Sequence, residues 1–361
     1  MAARTAAIYP ANSDNAPSGY DATYTTMSLM ETGEDGDLTG ANELEVSITE
    51  NAGENGDWEA QGIDDDETSF TGWTTDAAHD ITITTLNDGA RNMYTDGKWS
   101  TSAYRKENGG DTQTPIRINN TNRIDVTFDG LQIKYTGGEN VQPLFTRIGA
   151  ASSTVIIKNS YLWDDGAGSS RAFYSLDANI TTWLINCILL ASGDVLYIAG
   201  GVVKLYNCTI TLGGGAGIET DNNDVIAINC AVFNTANDFK DTFTTIDYCA
   251  SDDVDGTNPV DISPANGTEA DKWALAFTDY ANGDFRIKDV DSVLYQAGLD
   301  HSTDANVPTI DIAGNARVDG SESIGAFEYP VVAGRIMSSL VSAGGLAGMG
   351  GIAGQGGGLA G

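Results

Sequence analysis

Short runs of alternating apolar and polar residues recur along the middle of the chain. In order they read Val126-Thr-Phe-Asp129-Gly-Leu-Gln-Ile133, Val155-Ile-Ile-Lys-Asn159-Ser-Tyr-Leu162 and Trp183-Leu-Ile-Asn186-Cys-Ile-Leu189. Val203-Lys-Leu-Tyr-Asn207-Cys-Thr-Ile210, Val225-Ile-Ala-Ile-Asn229-Cys-Ala-Val232 and a degenerate Ile246-Asp-Tyr-Cys249 follow. Each unit alternates, reaches an Asn or Asp, passes a small residue and alternates again. Asn159, Asn186, Asn207 and Asn229 are 27, 21 and 22 residues apart. Alternation with period two predicts half-buried strands, and a unit that returns every ~20–30 residues predicts a solenoid.

The residue types select the solenoid. The units have neither a leucine-rich consensus nor paired amphipathic helices. Two strands joined at one Asn describe a coil of a parallel β-helix, because Asn tolerates the left-handed backbone of a sharp bend. Stacked coils would bring Asn159, Asn186, Asn207 and Asn229 into a hydrogen-bonded ladder. The next residue in each unit (Gly130, Ser160, Cys187, Cys208, Cys230, Cys249) would stack into a narrow inner column. Leu205, Ile210, Ile228 and Val232 would fill the apolar interior. About eight coils between residues 60 and 250, each rising ~4.8 Å, predict a rod of roughly 40 Å. An even number of cysteines is compatible with two disulfides. Their spacings of 21, 22 and 19 residues favour one repeated buried slot. No CxxC pair is present, which removes a zinc ribbon.

The ends break the pattern. Residues 1–80 are expected to cap the first coil, which would otherwise expose backbone and an apolar face. Tyr24–Met30 suggests a short helix there, Asn42–Ile48 a strand, and Phe70-Thr-Gly-Trp73-Thr-Thr-Asp76 the entry to the coils, with the β-helix assigned to 81–250. Residues 251–330 are expected to form a C-terminal β module closing the helix. Residues 331–361 carry the hexads Gly344-Gly-Leu-Ala-Gly-Met349, Gly350-Gly-Ile-Ala-Gly-Gln355 and Gly356-Gly-Gly-Leu-Ala-Gly361. Glycine at this density disfavours a free helix and suits close packing of extended chains. Leu346, Ile352 and Leu359 recur as apolar pegs, so the tail reads as a docking or oligomerisation segment.

Charge narrows the partners. The chain has 361 residues with 51 acidic and 18 basic side chains, a formal charge of −33. Such a field repels phosphate backbones and anionic lipid surfaces, so neither nucleic acid nor membrane is an expected partner. The first 80 residues hold 18 acids and one base, Arg4, whereas the tail holds no acid and one base, Arg335. Only His79 and His301 are available for imidazole chemistry. The N-terminus shows no apolar stretch of about 7–15 residues, so a secretory signal is not expected. No run of roughly 18 apolar residues predicts a membrane span.

Residues about 115–250 resemble the right-handed parallel β-helix repeats of the pectate-lyase-like superfold, which implies an all-β solenoid and leaves function open. The Gly72-Trp-Thr-Thr-Asp76 stretch is similar to modules that precede β-helices in phage and environmental bacterial proteins. Ser323-Ile-Gly-Ala-Phe-Glu-Tyr-Pro330 resembles the closing signature of surface β-helix proteins, with Ser323 where that signature usually carries Asp. The tail is similar to those ending structural proteins of marine tailed phages.

The superfold that these repeats resemble hosts lyases and hydrolases as well as adhesins and phage tailspikes. Hydrolases resembling polygalacturonase carry a Gly-His-Gly, which this chain lacks, and Arg286-Ile-Lys288 falls after the repeat. Asp164-Asp165 reads as an exposed turn, and Lys158 and Lys204 as outward strand residues. Asp35-Gly-Asp37-Leu-Thr39 starts like a calcium loop but has Val46 in place of the closing Glu. No cofactor is expected, with structural Ca²⁺ left open and Asp64, Asp65, Asp66 and Glu67 as its candidate ligands. The expectation is a non-catalytic structural protein on the virion surface of a tailed bacteriophage, in capsid decoration or elsewhere on the particle. Its partners would be other virion proteins, further copies of itself (a trimer by resemblance) and a cell-surface glycan. A bacterial adhesin or extracellular filament subunit is the alternative, and a polysaccharide-binding tail protein, lyase or hydrolase the next.

Overall fold

The computed structural model describes residues 4–9, 17–39, 43–49, 64–85, 98–101, 103–110, 113–137, 142–148, 152–166, 171–221, 224–262, 270–320 and 322–329. Met1–Tyr329 forms one compact unit, and Pro330–Gly361 is divided from it. That segment, with Leu346, Ile352 and Leu359, lies outside the described residues.

Three parallel sheets of ten, eight and seven strands wind around one apolar interior. One turn shows the plan. Ser153–Lys158 lies in the ten-strand sheet, Tyr161–Asp164 in the eight-strand sheet and Phe173–Ser175 in the seven-strand sheet, before Ile180–Ile185 returns to the first. Equivalent residues stack directly: Val126, Val155, Thr182, Val203 and Val225 are successive partners. The protein is a right-handed parallel β-helix. The third strand of each coil is often only three residues long, too short to register as alternation.

In six successive coils a left-handed residue turns the chain from the ten-strand to the eight-strand sheet. Asn159, Asn186, Asn207 and Asn229 have φ of 51°, 52°, 51° and 56°, and Tyr248 takes the same place with 51°. The first unit is shifted by one residue from the sequence alignment. Asp129 pairs with Lys158, so Gly130 (φ 81°) is the bend residue, and Leu131 fills the slot of Ser160 and the cysteines. Behind the bend, Cys187, Cys208, Cys230 and Cys249 are fully buried free thiols. The thiols of Cys187, Cys208 and Cys249 donate to Ile157 O, Leu184 O and Ala227 O, in each case the strand one coil back, at 3.3–3.4 Å. Burial pushes the thiols of Cys208 and Cys249 upward, which keeps them protonated.

Leu205, Ile210 and Val232 fill the interior, but Ile228 does not. As the residue before the bend, it faces outward beside Tyr206 and packs under Val307. The parallel stack also starts earlier than residue 81. Arg4–Ile8 pairs with Leu44–Ile48, which pairs with Ile81–Thr84. Ten strands at ~4.8 Å give a sheet about 43 Å long. Helix α1 (Met27–Glu34) covers its start, with Thr26 as N-cap accepting from Leu29 N, and buries Met27 and Met30 completely. Trp73 Nε1 donates to Glu31 at 3.2 Å, and Glu34 accepts from the Tyr24 hydroxyl at 2.6 Å and pairs with Arg4 at 2.7 Å.

From Ala270 the chain leaves the coil plan. Helix α2 (Ala270–Ala276), an antiparallel pair (Phe277–Asp279 with Asp284–Ile287) and the irregular segment to Tyr329 fold back on the outer face of the eight-strand sheet. Tyr161, Ile188, Leu190 and Phe233 on the sheet meet Trp273, Phe277, Phe285, Ile324 and Phe327 from the module. The seam is a second apolar core, and burying each such side chain is worth about 1.5–3 kcal/mol. The module lies along the flank of the coils.

The bend geometry predicts the cost of altering it. Asn207→Ala should lower stability by about 2–3 kcal/mol, combining left-handed strain with lost hydrogen bonds of a buried amide. Asn207→Gly keeps the backbone free and should cost about 1 kcal/mol less. Urea midpoints of the two variants measure the difference, and equal midpoints would contradict a left-handed requirement at this position.

Candidate functional site

The bend column is where the coils meet the C-terminal module. Asn186 Nδ2 donates to Asn159 Oδ1 at 3.1 Å, Asn159 Nδ2 to Asp129 Oδ1 at 2.8 Å, and Asn229 Nδ2 to Asn207 Oδ1 at 3.4 Å. Between Asn186 and Asn207 the module intervenes. Arg317 Nη2 donates to Asn186 Oδ1 at 2.8 Å, and Asn207 Nδ2 donates to Ser323 O at 3.2 Å. Asn229 Nδ2 donates to Leu299 O and its Oδ1 accepts from Leu299 N, at 2.8 and 2.6 Å. The Asn column is therefore a shared edge: part ladder, part socket.

Arg317 anchors this socket from a fully buried position. Its guanidinium also donates to Ser323 O, Gly325 O and Ala326 O at 3.1–3.3 Å, and lies 3.7 Å from Glu328. Burial lowers the Arg317 pKa and raises that of Glu328. Glu328 accepts from Ser323 N and Oγ at 2.9 and 2.5 Å. The Ser323 hydroxyl thus serves as a donor to the buried Glu328 carboxylate. Gly325, at φ 94°, donates its N–H to Asn229 O at 2.8 Å, where a Cβ would meet Thr209 Oγ1 at 3.0 Å.

The proposed cation ligands do not converge on an open site. Asp64 is buried; its oxygens take Lys106 Nζ at 2.7 Å, the Tyr104 hydroxyl at 2.8 Å and Met27 N, at the start of α1, at 2.9 Å. An oxygen set so occupied locks the cap onto the first coils. Asp65 and Asp66 are exposed, and Glu67 faces Arg117 at 3.7 Å. Asp37 accepts from Thr39 N and Oγ1, an Asx-type turn. Asp164 is buried, accepting from Gly166 N and Arg171 N, so only Asp165 of that pair is solvent-facing. Arg286 pairs with Asp284 at 2.7 Å, and Lys158 with Asp129 at 3.1 Å. Lys204 sits over the Trp183 ring at 4.2 Å.

Two other groups bring metal-ligand atoms within 4.8 Å of one another, Asp300–His301–Asp319 and Asp238–Asp252–Asp253. Nothing in the repeat singled them out, because they are joined by folding across loops. His301 Nδ1 lies 2.5 Å from Glu322, which fixes the ring. The second group is a hard oxygen set of the kind Ca²⁺ takes. In it Asp238 is fully buried and accepts from Thr235 Oγ1 and Asp252 N at 2.7 and 2.8 Å. Burial, then its hydrogen bond with the Asp252 carboxyl, pushes Asp238 up to about 9.

Among the described residues, no helix is long and apolar enough to cross a membrane. Comparison with known proteins finds no matching family model, curated protein or solved structure.

Two measurements test this geometry. Arg317→Met should cost about 3–5 kcal/mol, because Glu328 is left buried without its countercharge. A denaturation midpoint unchanged by that variant would remove Arg317 as the anchor. Asp238 binds its proton more tightly folded than unfolded, so its contribution is complete below the ordinary carboxylate range. It is then lost progressively as pH rises from about 4 to about 9. Asp238→Asn does not titrate, so its urea midpoint relative to the unaltered protein should climb across that window. A pH-independent difference would contradict the raised pKa.

Proposed function

We propose that the chain is a structural, non-catalytic surface protein of a tailed-phage particle. Its acidic β-helix body faces solvent and its glycine-rich tail holds it to the particle or to neighbouring copies; capsid decoration is the first assignment. The observation that carries the non-catalytic reading is the employment of the ionisable groups. Asp64 with Lys106, Arg317 with Glu328, Asp129 with Lys158 and Glu219 with Lys240 each join strand to strand or segment to segment, and Asp284 pairs with Arg286 within one strand. General acid–base work requires a group within reach of a substrate and free to change its proton, and these groups are held by structural partners. The virion assignment draws on the Gly-Gly-aliphatic-Ala-Gly hexads, which resemble the tails of phage structural proteins. The hexads carry no charge and recur behind a body that is strongly negative.

Particles assembled with a chain lacking residues 336–361 test the reading. The truncated body should fold and stay soluble, yet be missing from purified particles by mass spectrometry. Retention at the copy number of the full chain would remove the docking role of the tail. Turnover of any member of a panel of neutral and acidic polysaccharides would overturn the non-catalytic assignment.

A further inference from the structure

The seam between coils and module opens at one place into a cleft of about 380 Å³. Its floor is the outer face of the eight-strand sheet, where Tyr161 and Trp163 project from one strand. Trp99 forms one wall, edge-on to both rings with centroids 5.6 and 5.9 Å away. The opposite wall is the Tyr280–Gly283 turn of the module. Trp99, Trp163 and Tyr280 are half-buried, so aromatic surface stays open to solvent on both sides of the floor. Lys134 Nζ stands 3.6 Å from the Trp163 ring centroid and 2.9 Å from Asp165, which leaves its charge neutralised.

Tyr161 makes the cleft more than an apolar groove. It is only 2% exposed, and its hydroxyl faces the Gly283 turn across the cleft, 3.7 Å from where a Cβ on that glycine would lie. A hydroxyl so placed can both donate to and accept from a ligand in the cleft. Burial raises its pKa, so it remains a neutral donor and acceptor. The site therefore combines flat π surfaces, one hydroxyl at the floor and a volume within the range of small-ligand pockets. Sugar rings match that combination. Their C–H faces rest on the negative face of an aromatic ring, and their hydroxyls both donate and accept. The net charge of −33 selects against anionic sugars. We infer that the cleft bounded by Trp99, Tyr161, Trp163 and Tyr280 is a binding site for neutral saccharide units. It belongs to the folded body and does not depend on the tail-docking reading.

Tryptophan fluorescence titrations of the full chain with a panel of neutral hexasaccharides (α- and β-linked glucose, galactose, mannose and N-acetylglucosamine) test it. At least one member should shift the emission saturably. Trp163→Ala should weaken that binding about tenfold or more, and Tyr161→Phe about three- to tenfold. Tyr161→Phe keeps the buried ring, so its urea midpoint should hold and separate lost recognition from lost folding. Silence across the whole panel, or affinities unaltered in both variants, would overturn the inference. So would quenching of the same tryptophans by a peptide of residues 336–361 when no sugar in the panel has an effect, since the cleft would then be a receptor for the apolar pegs of the tail.

Discussion

One backbone constraint recurs at the same place in successive coils: a residue with positive φ between the ten-strand and eight-strand sheets. A chain that turns there without that conformation would set its next strand off the one beneath, and a one-residue slip would send inward side chains outward. Gly130, Asn159, Asn186, Asn207, Asn229 and Tyr248 all meet the requirement. Asn tolerates the left-handed region better than other side chains and can link to its neighbours above and below. The cysteine that follows repeats for a related reason. It fits a narrow buried slot and turns its thiol to a carbonyl of the preceding coil.

The bend column also decides where the second layer goes. Its amides have more hydrogen-bonding capacity than a simple ladder uses, and the module takes up the surplus through Leu299, Ile310, Arg317 and Ser323. Arg317 is costly to bury, and its position is stable because carbonyls, Asn186 and Glu328 surround it. The apolar seam supplies most of the area, whereas the Arg317 network fixes the alignment of module on coils.

This arrangement gives the acidic composition a physical context. Many carboxylates are absorbed as joints: Asp64 under the cap, Glu31 and Glu34 on α1, Glu328 in the socket. Among the described residues, exposed ones such as Asp65, Asp66 and Asp165 lie outside the strands, where like charge opposes association of one stack with another.

The winding of the chain was legible in its sequence because a two-residue alternation interrupted by Asn every 21–27 residues admits few other folds. The Asn positions and the cysteine slot follow from the same repeat, whereas the Asp129–Gly130 unit aligns one residue off because glycine satisfies the bend as well as Asn does. Ile228 was assigned to the interior because an apolar residue beside the bend looks inward until Val307, distant in sequence, covers it. Asp64 looked like a solvated ligand because nothing local announces Lys106 and Tyr104 as its partners. The start of the stack at Arg4, the flank position of the module, the Arg317 socket and the Trp99–Tyr161–Trp163 cleft were likewise decided only by the tertiary structure. Local periodicity determines how a coil closes on the next coil. Contacts between segments a hundred residues apart leave no period to read, since each is made once.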